Sequence, residues 1–169
     1  INTWLANQGG AVANDDCSTV TWSNDFTAVS DDCGETGTVT VTFTATDDCG
    51  NATTATGLII IFDSAAPTIT TAASDLTIPC DAANQAATIQ AWLDANGNAG
   101  ATDVCGNVSW SNDYDVLNLG DCGETGTTLV TFTATDDCGN SITTSATLTV
   151  EDNTVPVVTI SPSDLSVEC

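Results

Sequence analysis

The chain has 169 residues, 23 of them Asp or Glu and none Lys, Arg or His, for a formal charge of −23. Phosphate binding needs Lys or Arg, so nucleic acid is excluded as a partner. The histidine base, Schiff-base lysine and arginine clamp of most enzymes are also missing, which leaves carboxylates as the acids, bases or hard ligands. The apolar fraction is 41%, set in alternating runs, and this argues against the disorder that an acidic composition can bring.

The elements recur. Trp4, Cys17 and Trp22 return 88 residues on as Trp92, Cys105 and Trp110. Cys33, Cys49, Pro67 and Cys80 return 89 residues on as Cys122, Cys138, Pro156 and Cys169. The decapeptide TFTATDDCGN stands at 42–51 and again at 131–140. This period fits one immunoglobulin-like sandwich and is too long for a solenoid unit. Residues 1–63 read as a repeat lacking its first strand, and 64–152 as a complete repeat. Residues 153–169 read as the first strand of a further repeat, completed by a neighbouring copy. A start at Ile1 rather than Met reads as an internal piece of something longer. The fold class expected is all-β: tandem immunoglobulin-like β-sandwiches, each with one short inserted helix and stapled by disulfides.

Within the complete repeat, 69–78 reads as the first strand. Asn84 offers a helix cap, Ile89, Trp92 and Leu93 follow at i, i+3, i+4, and Asn96-Gly97 ends the helix. Residues 107–114 alternate with Val108 and Trp110 inward. Residues 128–135 put Val130, Phe132 and Ala134 on one face. After the Cys-Gly-Asn turn, Ile142, Ala146, Leu148 and Val150 face inward. Thr147, Thr149 and Glu151 should face out on that last strand. Their counterparts in the first repeat are Leu58, Ile60 and Phe62, an apolar row on an edge strand that reads either as a face covered by its own loop or as a lateral self-contact within a filament.

Eight cysteines without histidine, and without CxxC spacing, read as a disulfide framework formed in an oxidising compartment rather than a zinc site. Topology selects a pairing. The first strand ends at the far pole of its domain and carries Cys80 there. The turn before the last strand places Cys138 at the near pole. Cys122 precedes the strand that starts at the far pole. Bridged cysteines need Cα atoms within about 7 Å, so Cys80 is expected to join Cys122, and Cys105 to join Cys138. The first repeat would pair Cys17 with Cys49, leaving Cys33 to bridge Cys169 of a consecutive copy.

The acidic residues Asp15, Asp16, Asp47, Asp48, Asp103, Asp136 and Asp137 fall at the same near poles. The linkers add Asp63, Glu151 and Asp152. Converging carboxylates and carbonyls make a hard, oxygen-rich site that favours Ca²⁺ and would stiffen the joints. Asn51 and Asn107 open glycosylation sequons. No stretch approaches the roughly 18 apolar residues of a membrane-spanning helix, and no signal peptide is visible.

The series P-x-I/V…C, then V-T-F-T-A-T-D-x-x-G-N, then the linker E-D-N-T-x-P, resembles the hyalin-repeat (HYR) family and the related cysteine-rich repeats of giant Bacteroidota surface proteins. The resemblance covers nearly the whole chain and implies immunoglobulin-like sandwiches in extracellular adhesion or matrix. The chain departs from the usual hyalin repeat in its four cysteines per repeat and its inserted Trp-Leu segment, so the pairing above rests on topology alone. Asp63-Ser64-Ala65 resembles the Bacteroidota O-glycosylation motif, which marks Ser64. The expected function is structural and non-enzymatic: an extracellular stalk or filament at the cell surface, its copies joined head to tail by disulfides and calcium. The alternative is an adhesin gripping glycan or another cell through exposed loops.

Overall fold

The structure is a computed structural model, and it describes residues 1–115 and 125–168. Among these residues it is mostly β, with strands gathered into three sheets and two short α-helices. In the first half, helix α1 (Asn2–Ala6) leads to strands β1 (Val20–Asn24), β2 (Gly37–Asp47) and β3 (Ala52–Ile61). In the second half come β4 (Thr68–Thr71), β5 (Leu76–Pro79), helix α2 (Gln85–Asp94), β6 (Gly100–Thr102), β7 (Val108–Asn112), β8 (Gly126–Asp136) and β9 (Ser141–Glu151).

The two halves share one register. β1 pairs antiparallel with β2 so that Trp22 lies opposite Ala45, and β7 pairs with β8 so that Trp110 lies opposite Ala134. The strand after each Cys-Gly-Asn turn runs back antiparallel, β3 on β2 and β9 on β8. Alternation in the shared decapeptide drives this: one row enters the core and the threonines stay out. Val41, Phe43 and Ala45 are buried in the first half, and Val130, Phe132 and Ala134 fully so in the second.

The halves differ at their sheet edges. In the second half β5 adds to β9 as a parallel strand, giving the order β5-β9-β8-β7, and β4 pairs separately with β6. In the first half the order is β1-β2-β3, and among the described residues β3 is an edge. Residues 153–168, beyond β9, form no strand, and all of them are exposed.

Three local expectations change. The single strand expected over 69–78 is two short strands in different sheets. The break sits at Ser74, whose N–H and hydroxyl donate to Gly97 O (2.8 and 2.9 Å), and at Asp75, whose carboxylate accepts Thr147 N–H (2.7 Å). Asn84 starts α2 through its carbonyl, which accepts Thr88 N–H and the Thr88 hydroxyl, with no side-chain cap. Ile142 is 36% exposed because it lies at the turn end of β9, while Ala146, Leu148 and Val150 are buried as the alternation requires. The helix exit at Asn96-Gly97 does pass over the core. Gly97 has φ +64°, and a Cβ there would lie 2.8 Å from the Phe132 ring, so glycine is needed on both counts.

Candidate functional site

The candidate site is the junction of the two halves, and its parts are turns shaped by carboxylates. After β8, one Asp136 oxygen accepts Cys138 N–H (2.9 Å) and Asn140 N–H (2.8 Å), and the other accepts Asn140 Nδ2 (2.9 Å). Asp47 repeats this after β2 with Cys49 and Asn51. Burial pushes the Asp136 carboxyl upward, but the Asn140 side chain and the Asn140, Cys138 and Gly139 backbone N–H groups outweigh it and hold the pKa below the ordinary value. The neighbouring carboxylates tie each turn to a loop, the one before β7 in the second half and the one before β1 in the first. Asp137 accepts Asn107 N–H (2.8 Å), and Asp48 accepts the Thr19 hydroxyl (2.9 Å). In that loop Asp15 accepts Cys17 N–H and Asp103 accepts Cys105 N–H, each at 2.8 Å.

Against this surface of the second half lies the loop that precedes β2. Cys33 and Cys138 form a disulfide, with Cα atoms 5.1 Å apart and 105 residues between them in sequence. Glu35 N–H donates to Cys105 O (2.8 Å). The Thr36 hydroxyl, on a residue 4% exposed, donates to Cys33 O (2.6 Å) and closes the loop. Gly34 has φ +57°, and a Cβ on it would overlap Cys105 O, so this loop can dock only with glycine there.

The bridge corrects the expected pairing. Cys138 is not joined to Cys105, and Cys33 is not left for Cys169 of another copy. The pole assignment placed Cys138 beside the preceding unit, but the elimination considered partners within one repeat, whereas the loop of the first half brings Cys33 closer. Cys105 is a half-buried thiol, and Cys17 and Cys49, expected to bridge each other, are exposed free thiols. The Cys80–Cys122 pairing falls on Cys122, and the Cys33–Cys169 pairing on Cys169; both cysteines lie outside the described residues.

Of the expected metal ligands, the structure brings Asp63 and Asp103 together with Cys105, their ligand atoms all within 4.8 Å of one another. The Cys105 thiol is pushed up by burial and by the charges of Asp63, Asp103, Glu35 and Asp136. The other carboxylates serve their own turns: Asp63 also accepts Ala65 N–H (3.0 Å), Asp152 accepts Thr154 N–H (2.9 Å), and Glu151 accepts Asn153 Nδ2 (2.8 Å). Asp16 is exposed. A cleft of about 470 Å³ beside the bridge is lined by Gly34, Glu35, Val104, Gly106, Asn107 and Asp137.

Leu58, Ile60 and Phe62 are exposed as expected, at 57, 56 and 75%. Asn51, Asn107 and Ser64 are exposed, and the amides of both asparagines donate to carboxylates, of Asp47 (2.7 Å) and Asp137 (3.3 Å). Sequence reasoning missed Gly34 and Thr36. The signal for them was present, since Cys-Gly-Glu-Thr-Gly stands at 33–37 and again at 122–126. No protein-family model matches this chain, and no curated protein matches it. Among the described residues, no helix is long and apolar enough to cross a membrane.

Proposed function

We propose that the chain is a structural repeat protein of an extended extracellular stalk or filament, made of tandem immunoglobulin-like sandwiches joined head to tail, as the hyalin-repeat resemblance implies. The observation that carries this reading is the Cys33–Cys138 bridge between the two halves. Both of its sides are sequence motifs present twice: the Cys-Gly-Glu-Thr-Gly loop and the Asp-Asp-Cys-Gly-Asn turn. A joint made of repeated motifs can recur at every boundary. Cys49 is the counterpart of Cys138, and it stands exposed on the first half as the socket for a preceding loop of the same kind. Closing that bond moves two electrons and two protons from the two thiols to a low-molecular-weight disulfide, which leaves as two thiols. Disulfides of this sort persist in oxidising compartments, which supports an extracellular setting.

Calcium is a lesser part of the proposal. Asp63 and Asp103 offer hard oxygen, but Cys105 sulfur is soft, and two carboxylates fall short of the six to eight oxygens calcium takes. The ion would depend on carbonyls and solvent, so the covalent bridge is the main fastening. The adhesin alternative needs an aromatic-lined groove. Among the described residues a hollow of about 200 Å³ lies beside Leu5, Trp22 and Phe43, while Trp92 is buried against Phe132.

The test is electrophoresis and disulfide mapping of native material, with and without reductant and EDTA. A Cys33–Cys138 peptide together with a Cys49 bridge to a Cys-Gly-Glu-Thr-Gly loop is the expected result. Uniformly small species, with Cys49 alkylated throughout, would refute the polymer.

A further inference from the structure

Among the described residues the first half has no counterpart of β4 and β5, and residues 156–168 correspond to those strands at the repeat spacing of 89. We propose that this segment of one copy adds as a strand to the first half of a second copy, parallel to β3, with Leu165 opposite Ile59 and Val167 opposite Ile61. This deepens the head-to-tail reading and rests on it.

The second half supplies the pattern. There β5 runs parallel to β9, with Leu76 opposite Leu148 and Ile78 opposite Val150. Those four positions correspond to Leu165, Ile59, Val167 and Ile61 at the repeat spacing of 89. With β5 in place, Leu148 and Val150 are 0 and 2% exposed and Trp92 is 6% exposed. Without a counterpart of β5, Ile59, Ile61 and Trp4 are only half-buried. Trp92 Nε1 donates to Ser74 O (2.9 Å), while Trp4 makes no such bond among the described residues; Ser163 is the counterpart of Ser74. β6 exists because β4 pairs with it. Its counterpart, residues 12–14, forms no strand, and Val12 is 91% exposed.

The candidate segment is equally unpartnered. Val157, Val158, Ile160, Leu165 and Val167 are each 76–86% exposed, so the segment bears the apolar residues that the first half lacks.

Two paired differences show that the segment is fitted to the first half in particular. In the second half Ala73 N–H donates to the Thr144 hydroxyl (3.0 Å). At the corresponding positions stand Pro162, which has no N–H, and Ala55, which has no hydroxyl. Donor and acceptor have gone together, so no polar group is left without its partner. Thr71 lies opposite Gly100, and the corresponding pair is Ile160 and Val12, both exposed, both apolar and large enough to cover one another. The Asp75 bond to Thr147 N–H carries over as Asp164 to the edge N–H of Leu58. An edge strand that lacks its partner is a template for such addition.

The full chain is followed by light scattering over a range of concentrations, oxidised and reduced. A peptide of residues 155–168 is the competitor, and Trp emission reports on Trp4. Association that rises with concentration, survives reduction and is blocked by the peptide is the expected result. Leu165→Asp with Val167→Asp should weaken association at least ~100-fold, from the loss of two buried apolar side chains. That segment is exposed in the free chain, so its variants leave the chain folded. Association unchanged in the double variant would overturn the strand addition while leaving the bridged-joint reading intact. A monomer at every concentration that ignores the peptide would overturn it as well. A monomer whose Trp4 emission shifts red only in the double variant would mean closure onto its own first half, and would overturn addition to a second copy.

Discussion

Removing the bridge with Cys33→Ser and Cys138→Ser together should cost the chain a large part of its stability. The bond closes a loop of 105 residues. In the chain-entropy account, 2.1 + 1.5R ln 105 cal/mol/K comes to about 5 kcal/mol at 25 °C, an upper figure because the unfolded chain retains some order. The double substitution avoids leaving a lone thiol beside Cys105. Urea unfolding followed by tryptophan emission reads the change. With a slope of about 2 kcal/mol/M, the midpoint should fall by roughly 2 M. Cys105→Ser is the control, since it leaves the Cys33–Cys138 bond in place. A midpoint shift below about 0.5 M in the double variant would refute the reasoning. So would a map of the parent protein that finds Cys105 bonded to Cys138.

Leu148→Ala should cost about 2–5 kcal/mol, because the side chain is fully buried, whereas Ile59→Ala should cost distinctly less, because that side chain is half-buried; equal losses by urea titration would contradict this difference in packing. Cys105 should react with iodoacetamide more slowly than Cys17 or Cys49 at neutral pH and catch up only as pH rises, because burial and the surrounding carboxylates raise its pKa; mass-spectrometric rates across pH 7–10 check this. The Asp136 carboxyl has a folded pKa below the ordinary 3.8, so the stability it adds is present above 3.8 and is lost as pH falls through the folded value. The advantage of the parent over Asp136→Asn should therefore shrink in acid. An advantage constant from pH 6 to pH 3 in chemical unfolding would count against it.

Much of the β architecture was legible because two-residue alternation is a local signal. Val130, Phe132 and Ala134 are buried because every second residue of a strand faces the same way. The Cys-Gly-Asn turns were legible too, since Asp at that position accepts the turn's own N–H groups. The cysteine partners were not, because pairing depends on which surfaces meet across a junction, and no periodicity within a repeat encodes that. The split of the first strand hid for a similar reason. Ser74 and Asp75 look like ordinary strand residues until Gly97 and Thr147, distant in sequence, take their hydrogen bonds. Pro162 with Ala55 was legible only after the structure supplied the Ala73–Thr144 bond that both replace.

The charge of the chain decides what kind of joint it can have. With no cationic side chain, its 23 carboxylates cannot be neutralised by ion pairs, and the structure instead turns many of them onto backbone N–H groups. That satisfies each carboxylate locally and leaves the net charge intact, so two copies repel at any distance shorter than the screening length, about 8 Å at physiological salt. A joint of opposite charges is not available to this sequence. What the molecule does have is uncharged: a disulfide, the β3 edge among the described residues, and exposed apolar rows. Each acts only at contact, so the proposed association requires burial of apolar surface and covalent closure to outweigh a repulsion spread over the whole surface. Repulsion also acts against lateral association of the acidic faces. If copies associate as proposed, this repulsion would leave the contact between the β3 edge and the exposed segment 156–168 as the favoured one.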